Sequence, residues 1–224
     1  MSASPPTRSA LSSQSAPLCR SELDQLPHEL LNRGGRRNPD VYCVEVSGTQ
    51  LVVKDFSPRG ALVRKTLGRW VTAREARAWQ VLDGHPSVPA FRGQIDALAF
   101  AVEYRPGQRM GRKLQEVVPP DFADRLDRAL EAMHARGVVH LDLRHRSNVL
   151  LGEGGDPILI DFGSALVFRP GSLVARLLLP LLARFDLRAA RKWRRKLAPP
   201  AQDAGSSPGP AGSSGSGRGA SRPT

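Results

Sequence analysis

The sequence predicts an α+β fold, with strands gathered early, helices later, and two acidic polar loops in its second half. Three observations carry that reading. Alternating residues from Asp40 to Phe56 form a hairpin pattern. An apolar stripe of helical period runs from Asp121 to Arg136. The β-prone runs Val149-Leu150-Leu151 and Ile158-Leu159-Ile160 stand beside the two acidic loops.

The elements follow in order. Val41, Cys43 and Glu45 alternate with Tyr42, Val44 and Val46, Ser47-Gly48 supplies a turn, and Leu51-Val52-Val53 resumes the strand. From about Leu67 to Leu82 the period becomes helical, with Val71, Ala78, Trp79 and Leu82 on one side, and Asp83-Gly84-His85-Pro86 stops it. Ala97 to Val102 is a short strand ending in Glu103-Tyr104-Arg105-Pro106-Gly107. Phe122, Leu126, Leu130 and Met133 share one face of the 121–136 helix, which Gly137 terminates. In the last patterned segment, Leu173 to Leu197, Leu182, Phe185, Ala189, Trp193 and Leu197 make an apolar stripe, and Arg184, Arg188, Arg191 and Arg195 a basic one. That segment either packs on the domain or lies on an anionic membrane surface.

Composition separates the ends from the fold. Residues 1–17 are rich in Ser, Pro and Ala, and 199–224 are almost wholly Pro, Gly, Ser and Ala. Neither can bury enough apolar surface to offset its ordering entropy. Disorder is therefore predicted over 1–19 and 199–224, leaving one domain over 20–198. The net charge of +12 comes from 28 Arg and 5 Lys, an Arg excess that a GC-rich genome produces without selection for nucleic acid. With aromatics at 5% and no RNA-recognition motif, no dedicated nucleic-acid binding is expected. Cys19 and Cys43 suggest neither a metal knuckle nor a disulfide framework. The first residues lack the apolar core of a secretory signal, and Leu177 to Ala183 is too short to span a bilayer. A cytoplasmic protein is the expectation, with a peripheral position at the inner membrane face as the alternative that the 173–197 segment offers.

The chemistry lies between Gly137 and Gly163. One loop reads His140-Leu141-Asp142-Leu143-Arg144-His145-Arg146-Ser147-Asn148, the other Asp161-Phe162-Gly163. Asp, Asn and Asp at the edges of β-prone runs suit Mg-nucleotide phosphoryl transfer. One carboxylate orients an attacking hydroxyl, while an amide and a second carboxylate hold the metal on the phosphates. Lys54, one of few lysines and set in an apolar strand, suits phosphate neutralisation. Glu75 has two readings: partner of Lys54, or the closing residue of a Thr72-Ala73-Arg74-Glu75 capping box.

In this order the motifs resemble the protein-kinase-like superfamily over about residues 40–165. Val52-Val53-Lys54 looks like the lysine strand, Glu75 like the helix glutamate, and Glu103-Tyr104 like the hinge between lobes. Gly137 to Leu143 looks like the entrance to the catalytic loop, and Ile160-Asp161-Phe162-Gly163 like the metal-binding loop. The resemblance implies a two-lobed fold with a β-rich N-lobe over about 20–103 and a truncated helical C-lobe over about 104–198. It implies ATP and Mg²⁺. Lys54, Glu75, Glu103 and Tyr104 would serve the nucleotide, Asn148 and Asp161 the metal, and Asp142 would be the catalytic base.

Three departures stand out. The Gly-x-Gly-x-x-Gly loop is missing, with Gly34-Gly35 and Arg36-Arg37 as its replacement candidate. Five residues rather than four separate Asp142 from Asn148, so Ser147 competes for the metal position. No Ala-Pro-Glu or long activation segment follows Asp161. Such truncation is similar to atypical bacterial kinases of the RIO type and to lipopolysaccharide-core sugar kinases. The implied acceptor is a protein Ser/Thr hydroxyl, with a glycolipid sugar hydroxyl as the alternative and a non-catalytic pseudokinase scaffold as a third reading.

Overall fold

The computed structural model describes residues 18–110, 117–145 and 147–197. Of the stretches predicted disordered, 1–19 and 199–224, residues 1–17 and 199–224 lie outside the described residues, as does Arg146, while Leu18 is buried against the sheet and Cys19 precedes the first helix. The chain is a mixed α/β structure with its main sheet in the N-terminal part and its longer helices later. Five antiparallel strands, β1 (His28–Asn32), β2 (Asp40–Val46), β3 (Thr49–Asp55), β4 (Phe91–Gln94) and β5 (Ala99–Glu103), form a sheet in the order β1-β2-β3-β5-β4. The β2–β3 turn needs two left-handed residues, Ser47 at φ 50° and Gly48 at φ 76°. This primed geometry matches the twist of paired strands.

The period of two gives this sheet two working faces. In register, Val41, Lys54 and Phe100 stand side by side, as do Cys43, Val52 and Val102. Of these, Val41, Lys54, Phe100, Val52 and Val102 face the main cavity. Tyr42, Val44, Leu51, Val53 and Ala101 point the other way and are buried under Leu18 and Leu23. A short helix, α1 (Arg20–Leu23), carries that cover. Arg20 clamps it by pairing with Asp55 at 2.6 Å and Asp96 at 2.7 Å. Asp55, which also accepts the Tyr42 hydroxyl, immediately follows Lys54 and fixes the end of its strand.

The helical stretch after β3 starts earlier than its sequence pattern predicts. Helix α2 (Ala61–Val63) runs through a π turn at Arg64–Gly68 into α3 (Arg69–Val81). Gly68 sits at that wide turn, where an added Cβ would lie 3.1 Å from the Phe56 side chain. Thr72 is therefore helix interior and no N-cap. Helix α4 (Phe122–Ala135) buries Phe122, Leu126, Leu130 and Met133, as its stripe predicts. Gly137, at φ 81°, ends it where an added Cβ would lie 2.4 Å from the Phe168 carbonyl oxygen.

The acidic loops lie between small strands. β6 (Gly107–Arg109), β8 (Val149–Gly152) and β9 (Pro157–Leu159) form one antiparallel sheet. β7 (Val138–Val139) pairs with β10 (Leu166–Val167). The last element, α5 (Leu173–Leu197), has the predicted bounds but a different buried face. Ala175, Ala183, Asp186, Ala189, Ala190 and Trp193 pack inward, and Phe185 points out. The main core joins α3, α4, α5 and the inner sheet face through Trp79, Phe100, Leu130, Phe162 and Trp193.

Candidate active site

Strand β3 and helix α3 bring together two residues that sequence places twenty-one apart. Lys54 Nζ donates to Glu75 Oε1 at 2.6 Å and to Asp161 Oδ1 at 2.8 Å. The Glu75 carboxylate is buried and also accepts from Trp79 Nε1 at 3.4 Å, so it serves the lysine and not a capping box. Burial alone would lower the Lys54 pKa, but the charges of Glu75 and Asp161 outweigh it and hold the ammonium above its ordinary range. The Lys54 charge in turn keeps the Asp161 carboxyl below the usual carboxylate range, against the effect of burial.

Asp161 adopts a left-handed backbone, φ 65° and ψ 71°, at the start of a 3₁₀ turn over Phe162–Ser164. The turn drives Phe162 into the core, where its ring meets Trp79 edge-on at 4.9 Å and His140 at 4.8 Å. His140 does not face the cavity. Its Nε2 bonds the Ile160 carbonyl at 3.0 Å and its Nδ1 accepts the Asp142 N–H at 3.3 Å, so the imidazole ties the two loops together.

The loop that follows is closed by Asn148. Its Nδ2 donates to the Asp142 backbone carbonyl at 3.0 Å and to Asp142 Oδ2 at 3.1 Å, and its Oδ1 accepts from Ser147 Oγ at 2.9 Å. Asn148 is buried where Ser147 is exposed. His145, missed in the sequence, donates from Nδ1 to Asp142 Oδ1 at 2.5 Å.

A second residue missed in the sequence holds the loop from below. Asp186, the one acid of α5, is fully buried. It accepts the backbone N–H groups of His140 and Leu141, each at 2.8 Å, and His134 Nε2 at 3.0 Å. Leu141 stands at φ 66°, a conformation that a non-glycine residue keeps only when its surroundings impose it. A lone carboxylate on an apolar helix face was the available signal, but its partners lie more than forty residues away.

Lys54, Ser147, Asn148 and Asp161 line one cavity of about 560 Å³, whereas Glu75 and Asp142 are not among its lining residues. Lys54, Asn148 and Asp161 occupy one part, and Val52, Val102, Leu150 and Ile160 provide apolar walls. Glu103, Tyr104 and Arg105 form an edge. The Glu103 carboxylate is committed to the Ala90 N–H at 2.9 Å and to Arg105 Nε at 3.1 Å, and the backbone N–H groups of Glu103 and Tyr104 are taken by the Ala90 and Gln50 carbonyls. Leu31 and Asn32 complete the opposite edge, and the β1–β2 connection containing Gly34-Gly35 leads away from it. Arg59 donates to the Gly34 and Gly35 carbonyls and pairs with Asp40, which accepts the Gly34 N–H at 2.8 Å.

The donor set fits magnesium. Among the described residues no group of three His, Cys, Asp or Glu could hold a metal by itself. Magnesium needs no such cage, since it keeps waters and takes phosphate oxygens beside one or two protein ligands. Asp161 and the Asn148 amide oxygen are oxygen donors of that kind.

The chain is 36% identical over 117 residues to a rice (Oryza sativa subsp. japonica) protein described as cyclin-dependent kinase F-2, covering 44% of this chain and 36% of that one. Over 39 residues it is 51% identical to serine/threonine-protein kinase 16 of Mus musculus, covering 17% of this chain and 12% of that protein. Its human counterpart is 54% identical over 37 residues. The similarity is to protein kinases. It is partial, since the chain spans about a third or less of these relatives' lengths. No protein-family model matches the chain.

Proposed function

We propose that this chain is an ATP-dependent phosphotransferase that moves the γ-phosphate of Mg-ATP to a hydroxyl. The observation that carries the reading is Lys54, which donates to Glu75 and Asp161 at once in a cavity shared with Asn148. The nucleotide would lie between a small β-rich lobe and a helical one. Its base would sit against Val52, Val102, Leu150 and Ile160, with the Glu103-Tyr104-Arg105 backbone at its edge.

Lys54, oriented by Glu75, would neutralise the non-transferred phosphates. Asp161 and Asn148 would hold Mg²⁺, which supplies charge neutralisation on the phosphate oxygens. Asp142 would orient the acceptor hydroxyl and take its proton as the new P–O bond forms and the bond to the ADP oxygen breaks. Such a reaction needs positioning and electrostatics, with no covalent enzyme intermediate.

Protein serine or threonine, including the chain's own, is the first acceptor proposed, in the manner of atypical kinases and in keeping with the relatives' names. The second is a sugar hydroxyl of a lipopolysaccharide-core glycolipid. Residues 164–172 alone connect Gly163 to α5, which leaves little chain for docking a peptide.

The test is transfer from γ-labelled ATP with Mg²⁺ to a lysate split into protein and glycolipid fractions. Asp142→Asn and Asp161→Asn proteins run alongside. Label in protein bands that both substitutions abolish supports the protein kinase, and label in glycolipid the sugar kinase. A folded protein with no substitution-sensitive label in either fraction refutes both and leaves a nucleotide-binding scaffold.

A further inference from the structure

The outer face of α5 is unlike the rest of the surface. Leu173, Val174, Leu177, Leu178, Leu181 and Phe185 are exposed, the first and third by more than 70%. At 3.6 residues per turn they cover an arc of roughly 140° on the first half of the helix, opposite the buried Ala175, Ala183 and Asp186. Scattered exposed leucines need no explanation, but six neighbours on one helix face form the contiguous apolar patch that marks an interaction surface.

The same outward arc changes character along the helix. From Arg184 onward it carries Arg184, Arg188, Arg191, Lys192 and Arg195, all exposed. Residues 173–197 hold eight basic side chains and one acid, and that acid, Asp186, is turned inward. Arg194 lies aside from this arc, paired with Asp124 and Asp127 of α4. The outward face is thus apolar first, basic second, and free of negative charge.

We infer that the outer face of α5 is a docking surface for an anionic lipid bilayer, on which the helix lies in the plane of the interface. The leucines and Phe185 enter the boundary between headgroups and acyl chains, and the arginines bind lipid phosphates. Charge decides between occupants. A second copy of this chain would present the same basic arc and no acid to answer it, whereas an anionic bilayer satisfies both halves of the face. No helix among the described residues is long and apolar enough to cross a membrane, so the contact is peripheral.

The inference stands apart from the proposed catalysis. Should both hold, they are mechanically joined, because Phe185 faces outward and its neighbour Asp186 holds the backbone of the Asp142 loop.

Flotation of the full-length chain with phosphatidylcholine vesicles, with and without phosphatidylglycerol, tests it without reference to activity. Binding is expected with phosphatidylglycerol only, and to weaken as salt rises. A Leu177→Asp/Leu181→Asp chain, checked for folding by circular dichroism, should lose binding at least tenfold. An Arg184→Glu/Arg188→Glu/Arg191→Glu chain should do the same. Failure of the folded wild-type chain to float with anionic vesicles overturns the inference. So does binding that a folded leucine variant retains in full. A wild-type dimer that the leucine substitutions make monomeric, with no vesicle binding, would assign the face to a second copy instead.

Discussion

Asp186 Oδ2 lies 2.8 Å from the backbone nitrogen of His140, forty-six residues away, and accepts its N–H from inside the core. The other carboxylate oxygen accepts the Leu141 N–H, so one side chain of α5 sets the backbone path into Asp142. The left-handed Leu141 is the visible consequence. A buried carboxylate shared by two amides and an imidazole is worth far more to the loop than an exposed ion pair.

Asp186→Ala therefore strands two buried N–H groups. It should cost about 2–5 kcal/mol in urea denaturation and lower phosphate transfer even where the protein remains folded. Stability within 0.5 kcal/mol of wild type, as an order-of-magnitude bound, would show that the loop does not hang from α5.

Removing Lys54 alone leaves Glu75 buried with only a long contact to Trp79. Lys54→Met is expected to destabilise by about 2–4 kcal/mol, and Lys54→Met with Glu75→Gln to recover at least half of that loss. Equal stability of the single and double variants would mean that the Glu75 charge is not confined.

Asn148 and Ser147 are separable. With Asn148 bonded to both the carbonyl and the carboxylate of Asp142, Asn148→Ala should lower kcat by roughly a hundredfold or more. Ser147→Ala should retain most transfer. The opposite ranking in steady-state kinetics over a Mg²⁺ series would assign the metal position to Ser147.

Two adjacent glycines make an internal control in the β1–β2 connection. A Cβ on Gly34 would lie 2.2 Å from the Pro39 carbonyl oxygen, while one on Gly35 meets nothing within 4 Å. Gly34→Ala should displace the connection and raise the KM for ATP, with Gly35→Ala near wild type. Indistinguishable KM values would remove this segment from the nucleotide site.

His85 predicts a pH dependence. It is buried, bonds the Ala129 carbonyl through Nε2 at 3.1 Å, and accepts the Ser87 N–H on Nδ1 at 3.1 Å. Burial first, then the charges of Arg136 and Arg105, push its pKa below the ordinary value, against the Ala129 bond. The unfolded chain therefore binds more protons than the folded one from about pH 6.5 downward to the folded pKa. Stability should drop as pH is lowered through that window and be flat above it. Urea midpoints at pH 7.5 and 5.5 for wild type and His85→Gln check this, the variant showing the smaller change.

Sequence legibility followed the range of the interactions. The β2–β3 hairpin and the bounds of α4 and α5 were readable because alternation, helical period, Gly48 and Gly137 act within a few residues. β1 was not, since all five of its residues are exposed and its pairing partner supplies the order. The early start of the helix at Ala61 was hidden by a π turn that shifts the stripe's phase.

The candidate residues Lys54, Glu75, Asp142, Asn148 and Asp161 could be named from residue type, spacing and the resemblance of their motifs to the protein-kinase-like superfamily. Only the tertiary structure decided what they touch. It set Glu75 on Lys54 rather than on a helix cap, and bonded Asn148 to Asp142 across the longer loop. It also turned Phe185 outward and Asp186 in. A sequence determines what each segment prefers locally, by period, turn chemistry and charge. Which face is buried, and which amides a carboxylate holds, depends on packing between segments that are distant in the chain.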